Sequence, residues 1–143
     1  MDKVYIIFWT QGGNTGVMAS AIGDGVKAVG KEPVFLSPSE AKVSELKELN
    51  GFAMGCPAMG CEVLEETEME PFVSEVESII NGKKIALFGS YGWGDGQWMR
   101  DWEERMRSAG AIIIEGEGII AHEMPQDADI ERCNNLGKQL AEL

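Results

Sequence analysis

The sequence predicts an α/β fold, a doubly wound parallel sheet with helices packed on both faces. Three observations carry that prediction. Five short apolar runs lack strict polar alternation, which suits strands covered on both sides. The segments between them carry apolar residues at helical spacing. Glycine-rich stretches follow several of the runs, where a strand hands over to a helix. Right-handed crossovers build a doubly wound sheet from such a pattern, and ligands then sit beyond the carboxyl ends of the strands.

Taken in order, Val4–Phe8 reads as a buried first strand, followed by "WTQGGNTG" at 9–16. Met18, Ala21, Ile22, Val26 and Val29 form the first helical stripe, with Gly30 as its stop signal. Val34–Leu36 is the second strand, and Val43, Leu46 and Leu49 allow a short second helix. The third strand is Phe52–Met54, followed by "GCPAMGCEVLEE". Met69, Phe72, Val73, Val76, Ile79 and Ile80 make the third stripe, with Pro71 tolerated near its first turn. After the fourth strand, Ile85–Phe88, comes "GSYGWGDGQW". Met99, Trp102, Met106 and Ala109 follow as a helix stopped by Gly110, with Asp101/Arg105 and Glu103/Arg107 as i,i+4 ion pairs. Ala111–Ile114 is the fifth strand, and "EGEGIIAHEMPQ" the loop after it. Ile130, Cys133, Leu136 and Leu140 form the last helix.

The 143 residues fit one domain, 1–143, and 44% hydrophobic with 25% charged residues is a globular composition. No apolar stretch approaches the roughly 20 residues that span a bilayer. The first apolar run is too short and too aromatic for a signal peptide, so a cytoplasmic protein is expected. A formal charge of −12 argues against nucleic acid or anionic membrane as partners and favours a basic protein. A monomer is expected. Cys56, Cys61 and Cys133 make an odd set, read as free thiols, and with one histidine no metal site is expected.

The loops after the first, third, fourth and fifth strands are where chemistry belongs. "WTQGGNTG" contains neither a nucleotide-triphosphate loop nor a dinucleotide fingerprint. It holds no Lys or Arg, yet backbone N–H groups converging at a helix N-terminus bind anions without one. Thr10, Asn14 and Thr15 add side-chain donors, and Gly12 and Gly13 let the backbone approach closely. On its own residues the stretch reads equally as an ordinary turn and cap. Tyr91 and Trp93, held among Gly89, Gly92, Gly94 and Gly96, suit a stacking surface for a flat ligand, or rings folded back on their own loop. Met59 suits packing on a ring, and Gly60 permits unusual backbone. The acidic residues Glu62, Glu65, Glu66, Glu68 and Glu70 read alone as a solvated helix start.

From end to end the chain resembles the short-chain bacterial flavodoxins, most specifically in "LFGSYGWGDGQWMRDWEERM" and "GCPAMGCEVLEETEMEPF". The resemblance implies a flavodoxin-like five-stranded sheet of order 2-1-3-4-5 with FMN bound at its carboxyl edge. It makes Thr10, Gln11, Gly12, Gly13, Asn14 and Thr15 the phosphate loop. Pro57, Ala58 and Met59 form the inner wall, with Met59 on the flavin face, and Trp93 stacks on the outer face. Glu62 bonds the pyrimidine edge of the ring, while the backbone of Ser90, Tyr91, Gly92, Trp93 and Gly94 reaches its other polar atoms. The Gly60–Cys61 peptide is expected to turn over on reduction. The implied function is a low-potential one-electron carrier and not an enzyme. A ring walled by carboxylates resists taking on negative charge, and Glu62, Glu65 and Glu66 are expected to dock basic redox partners.

The chain departs from the family pattern T/S-x-T-G-N-T at Gln11 and Gly12. The hydroxyl missing at Gly12 is worth about 1.5–3 kcal/mol if nothing replaces it. Gly16 and Cys61 are also unusual, Cys61 reading as a free thiol without a role and His122 as an exposed loop side chain. Two alternatives remain at this level: a small FMN-dependent NAD(P)H reductase, and a flavodoxin-like binding module that has lost FMN. A response-regulator receiver is excluded by the missing acidic pair after the first strand.

Overall fold

A computed structural model describes residues 3–11 and 13–143. Its strands are β1 (Lys3–Phe8), β2 (Glu32–Leu36), β3 (Gly51–Gly55), β4 (Lys84–Tyr91), β5 (Ile112–Ile113) and β6 (Ile119–His122). Its helices are α1 (Asn14–Ala28), α2 (Val43–Leu46), α3 (Met69–Val76), α4 (Gln97–Ser108) and α5 (Asp127–Ala141). All strand pairs of the sheet are parallel, in the order β2-β1-β3-β4-β5, with β6 also pairing β4. The expected order 2-1-3-4-5 is therefore found.

The apolar runs split by residue parity between two cores, as a pleated strand requires. Ile7, Phe52, Met54, Ile85 and Leu87 face α3 and α4. Val4, Ile6, Ala53, Ala86 and Phe88 face α1 and α5. Both faces are thus covered, which is why the runs show no polar alternation. Pro33 sits in β2, an edge strand, where its missing N–H costs least.

The α1–α5 pair is packed unusually close, through glycine on each helix. A methyl group at Gly25 would lie 2.0 Å from the Asn134 carbonyl oxygen, and one at Gly137 would lie 1.9 Å from that of Ile22. Asn134 Nδ2 donates to the Ala21 carbonyl at 3.1 Å across the same contact. This pairing fixes α1, whose N-terminus points into the 9–16 loop.

Three expectations are corrected. The fifth strand, expected at Ala111–Ile114, is interrupted: β5 pairs the start of β4 and β6 pairs its end. A single 3-10 turn, Ile114–Gly116, separates them, with Glu115 and Gly116 both at positive φ. A third of the supposed loop "EGEGIIAHEMPQ" is therefore strand. Likewise β4 runs on through Ser90 and Tyr91, expected in a loop.

The third correction concerns α4. Its i,i+4 ion pairs are replaced by longer-range partners. Arg105 takes Glu70 bidentately at 2.8 and 2.7 Å and Glu77 at 3.1 and 2.9 Å, so it joins α4 to α3. Glu103 is buried and accepts the Gly118 N–H at 2.7 Å, setting the chain into β6. Arg107 bonds the Gly116 carbonyl. A bidentate guanidinium clamp on a neighbouring helix outcompetes a single exposed pair along one helix.

Candidate functional site

At the carboxyl edge of the sheet, the segments after β1, β3, β4 and β6 converge. They enclose a cleft of about 190 Å³ lined by Gln11, Asn14, Pro57, Ala58, Met59, Ser90, Tyr91, Gly92 and Glu123. All but Glu123 were expected there from the sequence. Gly12 lies outside the described residues.

One end of the cleft is the start of α1. Gly13 caps it with φ +92 and brings no side chain to accept a first-turn N–H, and no acidic residue stands in that turn. The N–H groups ahead of Gly16 and the positive end of the helix dipole suit an anion at this end. The Thr10 hydroxyl accepts the Gly16 N–H at 3.3 Å and keeps its own proton to donate. Thr15 is placed differently. It is 1% exposed, its hydroxyl lies 3.1 Å from that of Ser90, and it accepts the Ser90 N–H at 3.3 Å. Thr15 is thus a stitch between α1 and β4, and links the anion end of the cleft to its floor.

The inner wall is held by the backbone of β4. Cys56 N–H donates to Phe88 O at 3.1 Å and Ala58 N–H to Ser90 O at 3.0 Å, so residues 56–58 extend the ladder beyond β3. Gly89 is required at this point, because a methyl there would meet the Cys56 carbonyl at 2.1 Å. Trp98 Nε1 donates to that same carbonyl at 3.1 Å from beneath. Met59 follows from this rigid segment.

Met59 and Val63 then pair antiparallel, at 2.9 and 3.0 Å, and close a tight turn over Gly60, Cys61 and Glu62. Gly60 has φ +43 and Glu62 φ +57. For glutamate that left-handed backbone is strained, and its carboxylate supplies the compensation. Glu62 Oε1 accepts the N–H groups of Asp95 and Gly96 at 3.2 and 3.3 Å. A second tie crosses the same mouth, from Trp93 Nε1 to the Gly60 carbonyl at 3.3 Å. Trp93 remains 73% exposed. An indole this open, on a glycine-flanked loop, is free to cover a flat ligand.

The acidic run needs one correction. Glu65 is no part of an exposed face; it is 6% exposed. Its carboxylate accepts the N–H groups of Thr67, Glu68 and Met69 at 2.8, 2.8 and 3.0 Å, and the Thr67 hydroxyl as well. It satisfies the open donors at the start of α3. Burial alone would raise its pKa, but the Thr67 hydroxyl and those N–H groups prevail and bring it down to about 2. Glu62 and Glu66 stay at the surface side of the turn. Burial pushes the Cys56 thiol up to about 12, against weaker opposing hydrogen bonding, whereas Cys61 is exposed beside the cleft.

Glu123 was missed as a neighbour of the cleft, and His122, expected on the ligand side, was placed in a loop, because the short run Ile119–His122 was not read as a strand. Its unbroken apolar run, Ile119–Ala121, was the available signal. Among the described residues no group of three or more His, Cys, Asp and Glu side chains is placed to hold a metal, and no helix is long and apolar enough to cross a membrane.

The flavodoxin family model matches residues 6–136. The chain is 45% identical over 138 residues to the flavodoxin of Clostridium beijerinckii, covering 96% of this chain and 99% of that one. It is 40% identical to the flavodoxin of Megasphaera elsdenii, covering 96% and 98%. Among solved structures, that of two-electron reduced Megasphaera elsdenii flavodoxin superposes with a TM-score of 0.86 at 39% identity, covering 98% of this chain and 99% of that one.

Proposed function

The chain belongs to the flavodoxin family, and from that premise we propose how its cleft serves an FMN electron carrier of low potential. Flavodoxins are electron-transfer proteins and not enzymes, and FMN is their cofactor. When bound, FMN supplies the redox chemistry by taking up and giving up electrons one at a time.

The residues present fit that group. A phosphate matches the uncharged start of α1, where Thr10, Gln11, Gly13 and Asn14 border the cleft's anion end. Gly12 belongs to the same proposed loop. Thr15 contributes by holding that loop to Ser90. A ring matches the slot between Met59, carried on the rigid 56–58 segment, and the open indole of Trp93. Glu62 has Oε1 committed to the 95–96 backbone, which leaves Oε2 to accept an N–H from the ring edge. The backbone of Ser90, Tyr91, Gly92, Trp93 and Gly94 offers further donors and acceptors, and Cys61 sits at the turn's tip. The observation that carries the reading is the Trp93 indole, exposed yet tied to the Gly60 carbonyl beside Met59.

We place the 1–143 chain as a single cytoplasmic domain acting between redox proteins, with basic partners docking over Glu62 and Glu66. Glu65, buried under α3, is left out of that face. The test is direct. Purified protein is mixed with FMN, flavin fluorescence is followed to a dissociation constant, and the complex is titrated reductively. Quenching with sub-micromolar affinity and two separate one-electron steps are expected. A protein that takes up no FMN, or that oxidises NAD(P)H steadily by itself, overturns the reading.

A further inference from the structure

His122 is the only histidine of the chain. It is no free loop side chain: it ends β6 in register with Tyr91 of β4. Its Nε2 lies 3.0 Å from the Gly92 carbonyl oxygen, and its ring centroid lies 5.1 Å from that of Tyr91. The next residue, Glu123, donates its N–H to the Tyr91 carbonyl at 2.8 Å, with φ +58, and its side chain lines the cleft. The end of β6 therefore holds the carbonyls of both residues that lead into Trp93.

We propose that His122 is a positioning residue for the cofactor-facing segment 91–94, clamping Gly92 through Nε2–H. The inference rests on the FMN reading only for its affinity arm. A carbonyl oxygen can only accept, so Nε2 must carry a hydrogen. In the neutral ring this selects the Nε2–H tautomer and excludes the other, which would set a lone pair against the carbonyl. In the imidazolium the bond becomes charge-assisted, and such bonds are roughly twice as strong as neutral ones. The clamp is thus present in both protonation states and is tighter in the imidazolium.

The groups around the ring are few. Glu123 Oε1 lies 3.7 Å from Nε2, and the Tyr91 phenol belongs to the ring tilted against it at 53°. From α4, which meets β6 where Gly96 approaches Ile120, comes Arg100, paired with Asp95 at 2.9 Å. From α5 come Asp127 and Asp129, the second accepting the Gln126 N–H. None of these is an acceptor placed between Nε2 and Gly92.

The test uses native protein, His122→Asn, which keeps a side-chain N–H but does not titrate, and His122→Ala, which has neither. In FMN-free protein, the single imidazole signal is followed by NMR from pH 5.5 to 8. The Gly92 and Trp93 amide signals are expected to move with the same midpoint, and to stay flat in His122→Asn. FMN affinity is expected to fall about three- to tenfold in His122→Ala at pH 8. His122→Asn recovers most of that loss but lacks the extra tightening of the native protein at pH 5.5. Gly92 and Trp93 signals that ignore the imidazole overturn the proposal. So does an Ala variant that binds as tightly as native at both pH values, or an Asn variant with the native pH profile. If native protein binds no FMN, the cofactor reading fails while the NMR arm still decides on the clamp.

Discussion

Glu65 shows how far one side chain can be from its composition. In sequence it is one glutamate of an acidic run; in space it is the acceptor that α3 is built on. Its pKa is depressed to about 2 from an ordinary 4.5, so the stability it contributes is complete above about pH 4.5 and lost as pH falls towards 2. Glu65→Gln keeps an oxygen but not the charge. It should cost about 1–3 kcal/mol at pH 7 in urea unfolding, the gap to native closing below pH 4.5. Equal stability at neutral pH would contradict this. Trp93 works the other way, fully legible by type and unburied in structure. Trp93→Ala should weaken FMN binding about tenfold or more, by fluorescence titration, with little change in unfolding midpoint. These two residues mark what a sequence discloses. An aromatic among glycines announces a surface role, whereas the Glu65 carboxylate folds back on the N–H groups of Thr67, Glu68 and Met69, which its charge alone does not announce.

Among elements, the α1–α5 contact governs the phosphate end of the cleft. Glycine inside a helix costs about 1 kcal/mol relative to alanine, so Gly25 and Gly137 each weaken their own helix. They stay favourable because the backbones meet. Gly137→Ala should therefore destabilise by about 1–3 kcal/mol in spite of better helix propensity, and should loosen FMN binding by shifting α1. Calorimetry on the FMN-free and loaded forms separates the two effects; a stabilised variant would refute the contact. The strands β1, β3 and β4 were legible because double-sided burial leaves an unbroken apolar run. The split of β5 from β6 was not, since Glu115–Gly118 reads as loop until β4 proves long enough to pair both pieces. Arg105 was misjudged for a related reason: its partners stand 35 and 28 residues away, beyond any local spacing rule.

Across the whole molecule, a set of lysines and a set of carboxylates stand at opposite ends of the strands. Lys3, Lys31, Lys83 and Lys84 lie where β1, β2 and β4 begin, while Glu62, Glu66, Asp95 and Glu123 lie about the carboxyl edge. An anion of −12 with these four lysines at the far end presents the cleft to a basic partner before contact. Electron transfer to a basic acceptor protein should slow steeply with salt, as screening shortens to about 10 Å at 0.1 M. Glu66→Gln should flatten that slope in stopped-flow measurements, and Lys31→Gln should leave it nearly unchanged. Equal effects would remove the case for orientation. The four tryptophans add a last consequence. Trp98 and Trp102 are sealed in the core and Trp9 is half-buried, so Trp93 alone offers its full face to water. A dissolved iodide quencher would darken chiefly that one indole, and the quenched fraction of the emission becomes a built-in optical gauge of whether the mouth of the cleft is covered.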